Sequence, residues 1–258
     1  MRYYSQFGED KILAELFEGT TEGCCVEVGA NNGVDDSTTL FFEKLGWKCV
    51  LVEPNPDLCK EIRKKRSSTL FECAVSSKKG DATLHVAVGA DRSHGMSTIS
   101  DSQEVHDRIK SHGFDCVPVK VKVRTLDDIL EESDIDCDID FISIDVEGLE
   151  LEVLNGFSIE KWKPKIMLVE DNSNFKNKTV KNYLKWHGYV RFDRTGVNDW
   201  FTHSSNRQFM SLKGKYRIAF TYIAFTYVGT KVSRCIRIAK SVVKRMLITM
   251  KLRSAVRR

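Results

Sequence analysis

The residues best suited to chemistry sit in four short blocks: Val26-Glu27-Val28-Gly29-Ala30-Asn31-Asn32-Gly33, Glu53-Pro54-Asn55-Pro56, Asp145-Val146-Glu147-Gly148 and Glu170-Asp171-Asn172. In the first, a strand-like apolar run enters a turn of small residues, where Gly29 and Gly33 permit conformations and close approaches that a side chain forbids. The second follows another apolar run, Cys49-Val50-Leu51-Val52. It puts a carboxylate where the second strand of a βαβ unit meets the two hydroxyls of a ribose. The glycine spacing narrows the ligand. A dinucleotide fingerprint, G-x-G-x-x-G, admits a pyrophosphate at a helix N-terminus. Gly29-x-x-x-Gly33 with Glu27 beside it would repel a pyrophosphate and suit a ligand with an ammonium and a sulfonium group, the description of S-adenosylmethionine. A glycine loop alone is also what an ordinary strand-turn-helix would carry; Glu53 is what adds weight.

The elements that must hold these blocks alternate between strand and helix, the pattern of a largely parallel sheet covered on both faces. Helices are expected from Asp36-Ser37 to Trp47, from a cap at Asp57 to Lys65, and from Thr125. Strands are expected at Thr69–Cys73, at Ile139–Ile144 and at Lys165–Val169, with an alternating pair around Ala82–Val88 and Val117–Val123. Between that pair, Gly89–Phe114 is polar and without period; it reads as a loop or flap near the site, with an inserted helix from Asp101 to Ser111 as a second reading. Ligands in open α/β sheets bind outside the carboxyl ends of the strands, so all four blocks share one edge. Asp145 is suited to orienting the reactive end of a cofactor or an acceptor hydroxyl, and Glu147, Glu150 or Glu170 to accepting its proton. For Glu150 a helix-capping role is preferred. Asp145, Glu170 and Asp171 could instead form an all-oxygen Mg²⁺ site. His203, His94 and His112 are rival bases that no spacing singles out.

At 258 residues the chain suits one α/β domain with an appendage. The N-terminus lacks an apolar signal-peptide core and no apolar run reaches the ~20 residues of a spanning helix, so a cytoplasmic protein is expected. The eight cysteines show no zinc spacing and read as buried or reduced thiols. The net charge of +4 hides a division: residues 200–258 hold fourteen Lys/Arg and no Asp/Glu, leaving −10 for the first 199. In that basic region Ile218-Ala219-Phe220-Thr221-Tyr222 repeats at once as Ile223-Ala224-Phe225-Thr226-Tyr227, and after Gly229 apolar residues recur at three- and four-residue spacing among lysines and arginines. The expected division is therefore a domain at 1–213 and a basic amphipathic helical tail at 214–258, suited to docking on the domain or to peripheral contact with the inner face of a membrane, with nucleic acid disfavoured.

Several blocks together resemble the FkbM family of S-adenosylmethionine-dependent methyltransferases over about residues 3–203: Tyr4-Ser5-Gln6-Phe7-Gly8-Glu9-Asp10, Val26 to Asn31, Gly46-Trp47 leading to Val52-Glu53-Pro54-Asn55-Pro56, Ala74-Val75-Ser76, Val123 to Asp128, and Ile142-Ser143-Ile144-Asp145-Val146-Glu147-Gly148-x-Glu150-x-x-Val153-Leu154-x-Gly156. The resemblance implies a Rossmann-like class I methyltransferase fold, with a seven-stranded, mostly parallel sheet and helices on both faces. It implies O-methylation of hydroxyls on sugars or natural products. By that likeness Glu27, Gly29, Asn31 and Gly33 hold the methionine part, Glu53 the ribose and Ala74-Val75 the adenine edge, with Ala30, Pro54 and Asn55 completing the two loops. Asp145, Glu147 and Glu170 transfer as acceptor-side candidates; the tail from about Gly214 lies outside the pattern. The expected acceptor is a carbohydrate. Two other classes compete. An RNA methyltransferase would explain the basic tail, but methylation of base amino groups usually shows Asn/Asp-Pro-Pro-aromatic where Asp145-Val146-Glu147-Gly148 stands. A catalytically inactive, membrane-tethered binding module predicts a damaged cofactor loop, and this loop is intact.

Overall fold

The computed structural model describes residues 2–89, 93–133, 135–173 and 175–227. In chain order they form α1 (Glu9–Leu16), β1 (Cys24–Val28), α2 (Leu40–Glu43), β2 (Lys48–Val52), α3 (Pro56–Lys65), β3 (Thr69–Phe71), β4 (Ala74–Val75), β5 (Gly80–Val88), α4 (Gln103–Ser111), β6 (Asp115–Arg124), α5 (Leu126–Glu132), β7 (Ile139–Ile144), α6 (Glu150–Asn155), α7 (Ile159–Trp162), β8 (Ile166–Glu170), α8 (Thr179–Trp186), β9 (Tyr189–Thr195), β10 (Asn198–His203) and α9 (Leu212–Tyr227). Seven strands make the main sheet in the order β3-β2-β1-β7-β8-β10-β9. All its neighbours run parallel except β10, which is antiparallel to both β8 and β9. The expected seven-stranded, mostly parallel Rossmann-like sheet is therefore present.

Because side chains alternate across a strand, a run buried on both faces must serve two cores. Val26 and Val28 of β1 join Val50, Val52, Ile142, Ile144, Leu126 and Leu154 in one core. Cys25 of the same strand turns the other way, with Phe42, Trp47, Phe141 and Trp200 in the second. The strand order reverses between β1 and β7, and the carboxyl ends of these strands open the crevice in which the site lies. A smaller sheet, β4-β6-β5, stands beside it. Its long β5–β6 pair carries α4, so the helical reading of the Gly89–Phe114 insertion is the observed one.

Three local expectations change. The helix expected over residues 36–47 shortens to α2, because Ser37, Thr38 and Thr39 turn their hydroxyls onto Glu27. The cap of α3 is Asn55, whose side chain accepts from the Asp57 N–H at 3.0 Å; Asp57 lies inside the first turn after Pro56. Cys24 and Cys137 are joined as a disulfide with Cα atoms 6.4 Å apart, whereas all cysteines were expected as thiols.

The 213/214 division falls within α9, which packs on β9. Gly214 lies against the Phe192 carbonyl, and Arg217 Nε donates to Asp193 Oδ1 at 2.6 Å. The aromatic repeat is helical as far as Tyr227, with Phe220 and Tyr222 exposed. The amphipathic pattern beyond Gly229 lies outside the described residues. Among the described residues no helix is long and apolar enough to cross a membrane.

Below the crevice, Arg66 ties the loop after β1 to the body of the domain. Its side chain is fully buried; it donates to Glu43 Oε2 (2.7 Å), the Gly33 carbonyl (2.7 Å), Ser37 Oγ (3.2 Å) and Thr39 Oγ1 (3.1 Å), 4.0 Å from Glu27. Removing one partner from such a network leaves uncompensated buried charge, so Arg66→Met should lower unfolding free energy by about 3–5 kcal/mol. In urea denaturation, Lys60→Met, at an exposed pair with Asp57, should be indistinguishable from wild type. Equal stability of the two variants would contradict this account.

Candidate active site

The cofactor side begins where β1 ends. Gly29 and Ala30 N–H groups both donate to the Val52 carbonyl, at 2.9 and 3.0 Å, bending the loop over the end of β2. Gly29 holds φ 86°, and a Cβ there would lie 1.8 Å from the Asp145 carbonyl oxygen, so only glycine fits. Asn31, at φ 53°, directs its N–H to Glu53 Oε2 at 2.8 Å, while the Asn55 N–H donates to Glu53 Oε1 at 2.9 Å. One hydrogen bond on each oxygen fixes the Glu53 carboxylate and leaves each an acceptor site for a ribose diol. Burial pushes the Glu53 carboxyl up to about 7, against the lowering effect of those two N–H groups. Asn31 Oδ1 is buried without a hydrogen-bond partner. Such atoms are rare in folded proteins and call for an explanation, and a donor on a bound ligand supplies one.

These groups line a cavity of about 510 Å³, with Pro54, Cys73, Ala74 and Val75 as its less polar wall. A carboxylate for hydroxyls, an unmet amide oxygen and an apolar slot fit an adenosine-containing ligand. Gly29, Ala30, Asn31, Glu53, Pro54, Ala74 and Val75 all border the cavity.

Three expected cofactor residues have other tasks. Glu27 borders the cavity, but its Oε1 accepts from Thr38 N (2.7 Å) and Oγ1 (2.9 Å), and its Oε2 from Ser37 Oγ (2.8 Å) and Thr39 Oγ1 (2.5 Å). Four donors saturate a carboxylate, so Glu27 anchors the cavity wall and is not open to a ligand ammonium. Gly33 sits behind the loop, where a Cβ would meet Ile62 and Arg66 at 3.0 and 3.1 Å; its role is packing. Asn55 caps α3 and steadies Glu53.

Across the crevice, β7 and β8 deliver Asp145, Glu147 and Glu170, whose oxygens approach within 4.8 Å of one another. Asp145 is exposed to the cavity but lies deep in the molecule, so its exposure is not to bulk solvent. Burial, then the charges of Glu147 and Glu150, hold Asp145 well above the usual carboxylate range. Burial and Asp145 do the same to Glu170. Adjacent carboxyls of this kind share a proton. Glu147 adopts φ 57°, unusual for a side chain of its size, and pairs with Arg108 of α4. Burial raises Glu147 while Arg108 opposes it. Glu150 accepts from the Gly148 N–H at 2.9 Å, in the turn that precedes α6.

The metal triad expected at Asp145, Glu170 and Asp171 is not assembled. Asp171 turns to Arg194 (3.1 Å) and the N–H groups of Ser173 and Phe175 (3.0 and 3.1 Å), and Glu147 takes the place beside the other two. Arg108 already supplies that cluster with positive charge, and its own burial cost is outweighed by Glu147. His203 bonds Ser205 away from the cavity, while His112 borders it and His94 belongs to the turn Ser93–Met96. Sequence reasoning missed Arg108, Thr98 and Ile99 of the insertion, and Gln6, Phe7 and Glu9, which all border the cavity. Glu9 is buried and accepts from Thr195 and Asn198, partners far along the chain that no local pattern announces.

Among solved structures, the chain is similar to the precorrin-6y C5,15-methyltransferase of Geobacter metallireducens GS-15, with 13% identity, TM-score 0.37, 75% of this chain and 84% of that one covered. It is similar to the METTL16 methyltransferase domain with 12% identity, TM-score 0.39 and coverage of 73% and 62%. The N-terminal domain of human METTL16 in complex with SAH gives 13%, 0.34, 75% and 65%. The chain thus spans less than two thirds of the length of each METTL16 structure. No curated protein matches it in sequence. The family model described as the methyltransferase FkbM domain matches residues 27–209, most of the chain. The protein belongs to the FkbM methyltransferase domain family, and is an S-adenosylmethionine-dependent methyltransferase.

Proposed function

We propose that the protein methylates a hydroxyl oxygen of a sugar. The observation that carries this reading is the Asp145–Glu170 carboxyl pair, open to the cofactor cavity and raised above the usual carboxylate range. When bound, S-adenosylmethionine supplies a methyl group on a sulfonium; its C–S bond breaks as the new C–O bond forms. Glu53 and Asn31 hold the adenosine end, and Ala74 with Val75 line the adenine slot. Asp145 orients the acceptor hydroxyl. Its proton passes to whichever oxygen of the Asp145–Glu170 pair is ionised, and raising the pair above the usual carboxylate range makes it a stronger base for that role. Arg108, through Glu147, keeps the rest of the cluster from repelling that charge. The many carboxylate and amide groups around the crevice also suit the adjacent hydroxyls of a carbohydrate.

Incubating the protein with methyl-labelled S-adenosylmethionine and a panel of mono- and oligosaccharides should give O-methyl sugars by NMR; label found only on nitrogen or carbon would overturn the reading. Glu170→Gln and Asp145→Asn should each lower kcat by about 10²–10⁴, with S-adenosylhomocysteine affinity kept. Glu53 gives a pH signature. Its carboxylate form accepts both ribose hydroxyls, so binding lowers its pKa from about 7. S-adenosylhomocysteine affinity should therefore fall as pH drops from 8 to 6, with proton release at pH 7 read from calorimetry in buffers of different ionisation enthalpy. Proton uptake would contradict the assignment.

A further inference from the structure

A second cavity, of about 800 Å³, opens on the other side of the carboxyl pair and shares Arg108, Glu170 and Asn172 with the cofactor cavity. The two spaces therefore meet at the proposed base. Its lining includes the carboxyl groups of Glu170 and Glu150 as well as Phe175 and, from the start of α8 and from β9, Lys178, Lys181 and Arg191.

Most charges in this cavity already have partners. Asp171 and Asp199 pair with Arg194 at 3.1 and 2.8 Å, and Arg191 pairs with Asp199 at 2.7 Å while lying over the Phe175 ring. Asp107 accepts from Gln103 at 2.7 Å. Among the described residues Lys178 and Lys181 make no ion pair. Burial, then the nearby charges of Arg191, Lys178 and Lys185, pushes the Lys181 ammonium down even with Asp199 opposing, so positive potential is in excess there. The first turn of α8 adds the partial positive charge of a helix N-terminus on the same side. A cavity that holds both a proposed base, Glu170, and cations without ion-pair partners, Lys178 and Lys181, matches a molecule that carries both a hydroxyl and an anion.

We propose that the second cavity is the acceptor site and that the acceptor is an anionic sugar, its phosphate or carboxylate held by Lys178 and Lys181 beside Arg191 and its reacting hydroxyl at Glu170. This rests on the sugar-hydroxyl reading above. Phosphate and carboxylate would use the same cations, because both accept charge-assisted hydrogen bonds from ammonium groups.

The test titrates the full chain with glucose, glucose 6-phosphate and glucuronate, with and without saturating S-adenosylhomocysteine. A Lys178→Met/Lys181→Met double variant is run in parallel; both side chains are exposed, so the fold should be kept. At least one anionic sugar should bind about tenfold or more tightly than glucose, and the preference should vanish in the double variant while S-adenosylhomocysteine affinity stays unchanged. Whichever anionic sugar binds more tightly identifies the charged group as phosphate or carboxylate. Equal binding of all three sugars, no binding of either anionic sugar, or a preference that survives the double substitution would overturn the proposal. Failure of wild type to bind S-adenosylhomocysteine would instead count against the function proposed above, since the anion preference is also read without it.

Discussion

At the carboxyl ends of β1 and β7 two backbones come so close that Gly29 has no room for a side chain against the Asp145 carbonyl. The contact is reinforced by the Asp145 N–H donating to the Val28 carbonyl at 3.0 Å. It joins the loop that presents Asn31 and Ala30 to the strand end that presents Asp145. The groups proposed to hold cofactor and acceptor would therefore share one frame, and a displacement that depends on alignment gains much of its rate from such a frame. The parallel sheet on either side exists, functionally, to bring those two strand ends together at the point where strand order reverses.

Beneath that contact lies a buried polar foundation. Glu27 draws Ser37, Thr38 and Thr39 inward, and Arg66 joins the same group to Glu43 and to the Gly33 carbonyl. Burying charge is costly unless every donor and acceptor is met, and here they are. Glu53 and Asn31 Oδ1 differ: one is buried with acceptor sites left over, the other with no partner. Within one cavity wall, saturated groups build the shape and unsaturated ones keep the capacity to bind a ligand. That contrast separates Glu27 from Glu53 more clearly than residue type does.

Much of this was legible in the sequence. Runs such as Cys49–Val52 and Ile166–Val169 are apolar on both faces, as the strands of a covered parallel sheet are, and Glu53 follows its strand at once. Other features depend on partners far along the chain. Asp171 and Glu170 look alike in sequence; Arg194 on β9 draws Asp171 aside, and no local pattern announces it. Glu27 reads as a ligand group until three hydroxyl residues fold back on it, although the run Ser37-Thr38-Thr39 was a usable cue. Arg108 lies in an insertion without clear period, so its meeting with Glu147 belongs to tertiary structure alone. The cap of α3 moved from Asp57 to Asn55 because Pro56 takes the first helical position, a signal that was present and underused.

We propose that the β1–β2–β7 crevice binds the cofactor through the Glu53 carboxylate. Calorimetric titration of S-adenosylhomocysteine into wild type and Glu53→Ala at pH 8 tests it most directly. The account predicts a well-defined single site in wild type and at least about a tenfold weaker one in the variant, from the loss of two hydroxyl contacts to a charged acceptor. Equal affinity in the two proteins, both folded, would contradict it.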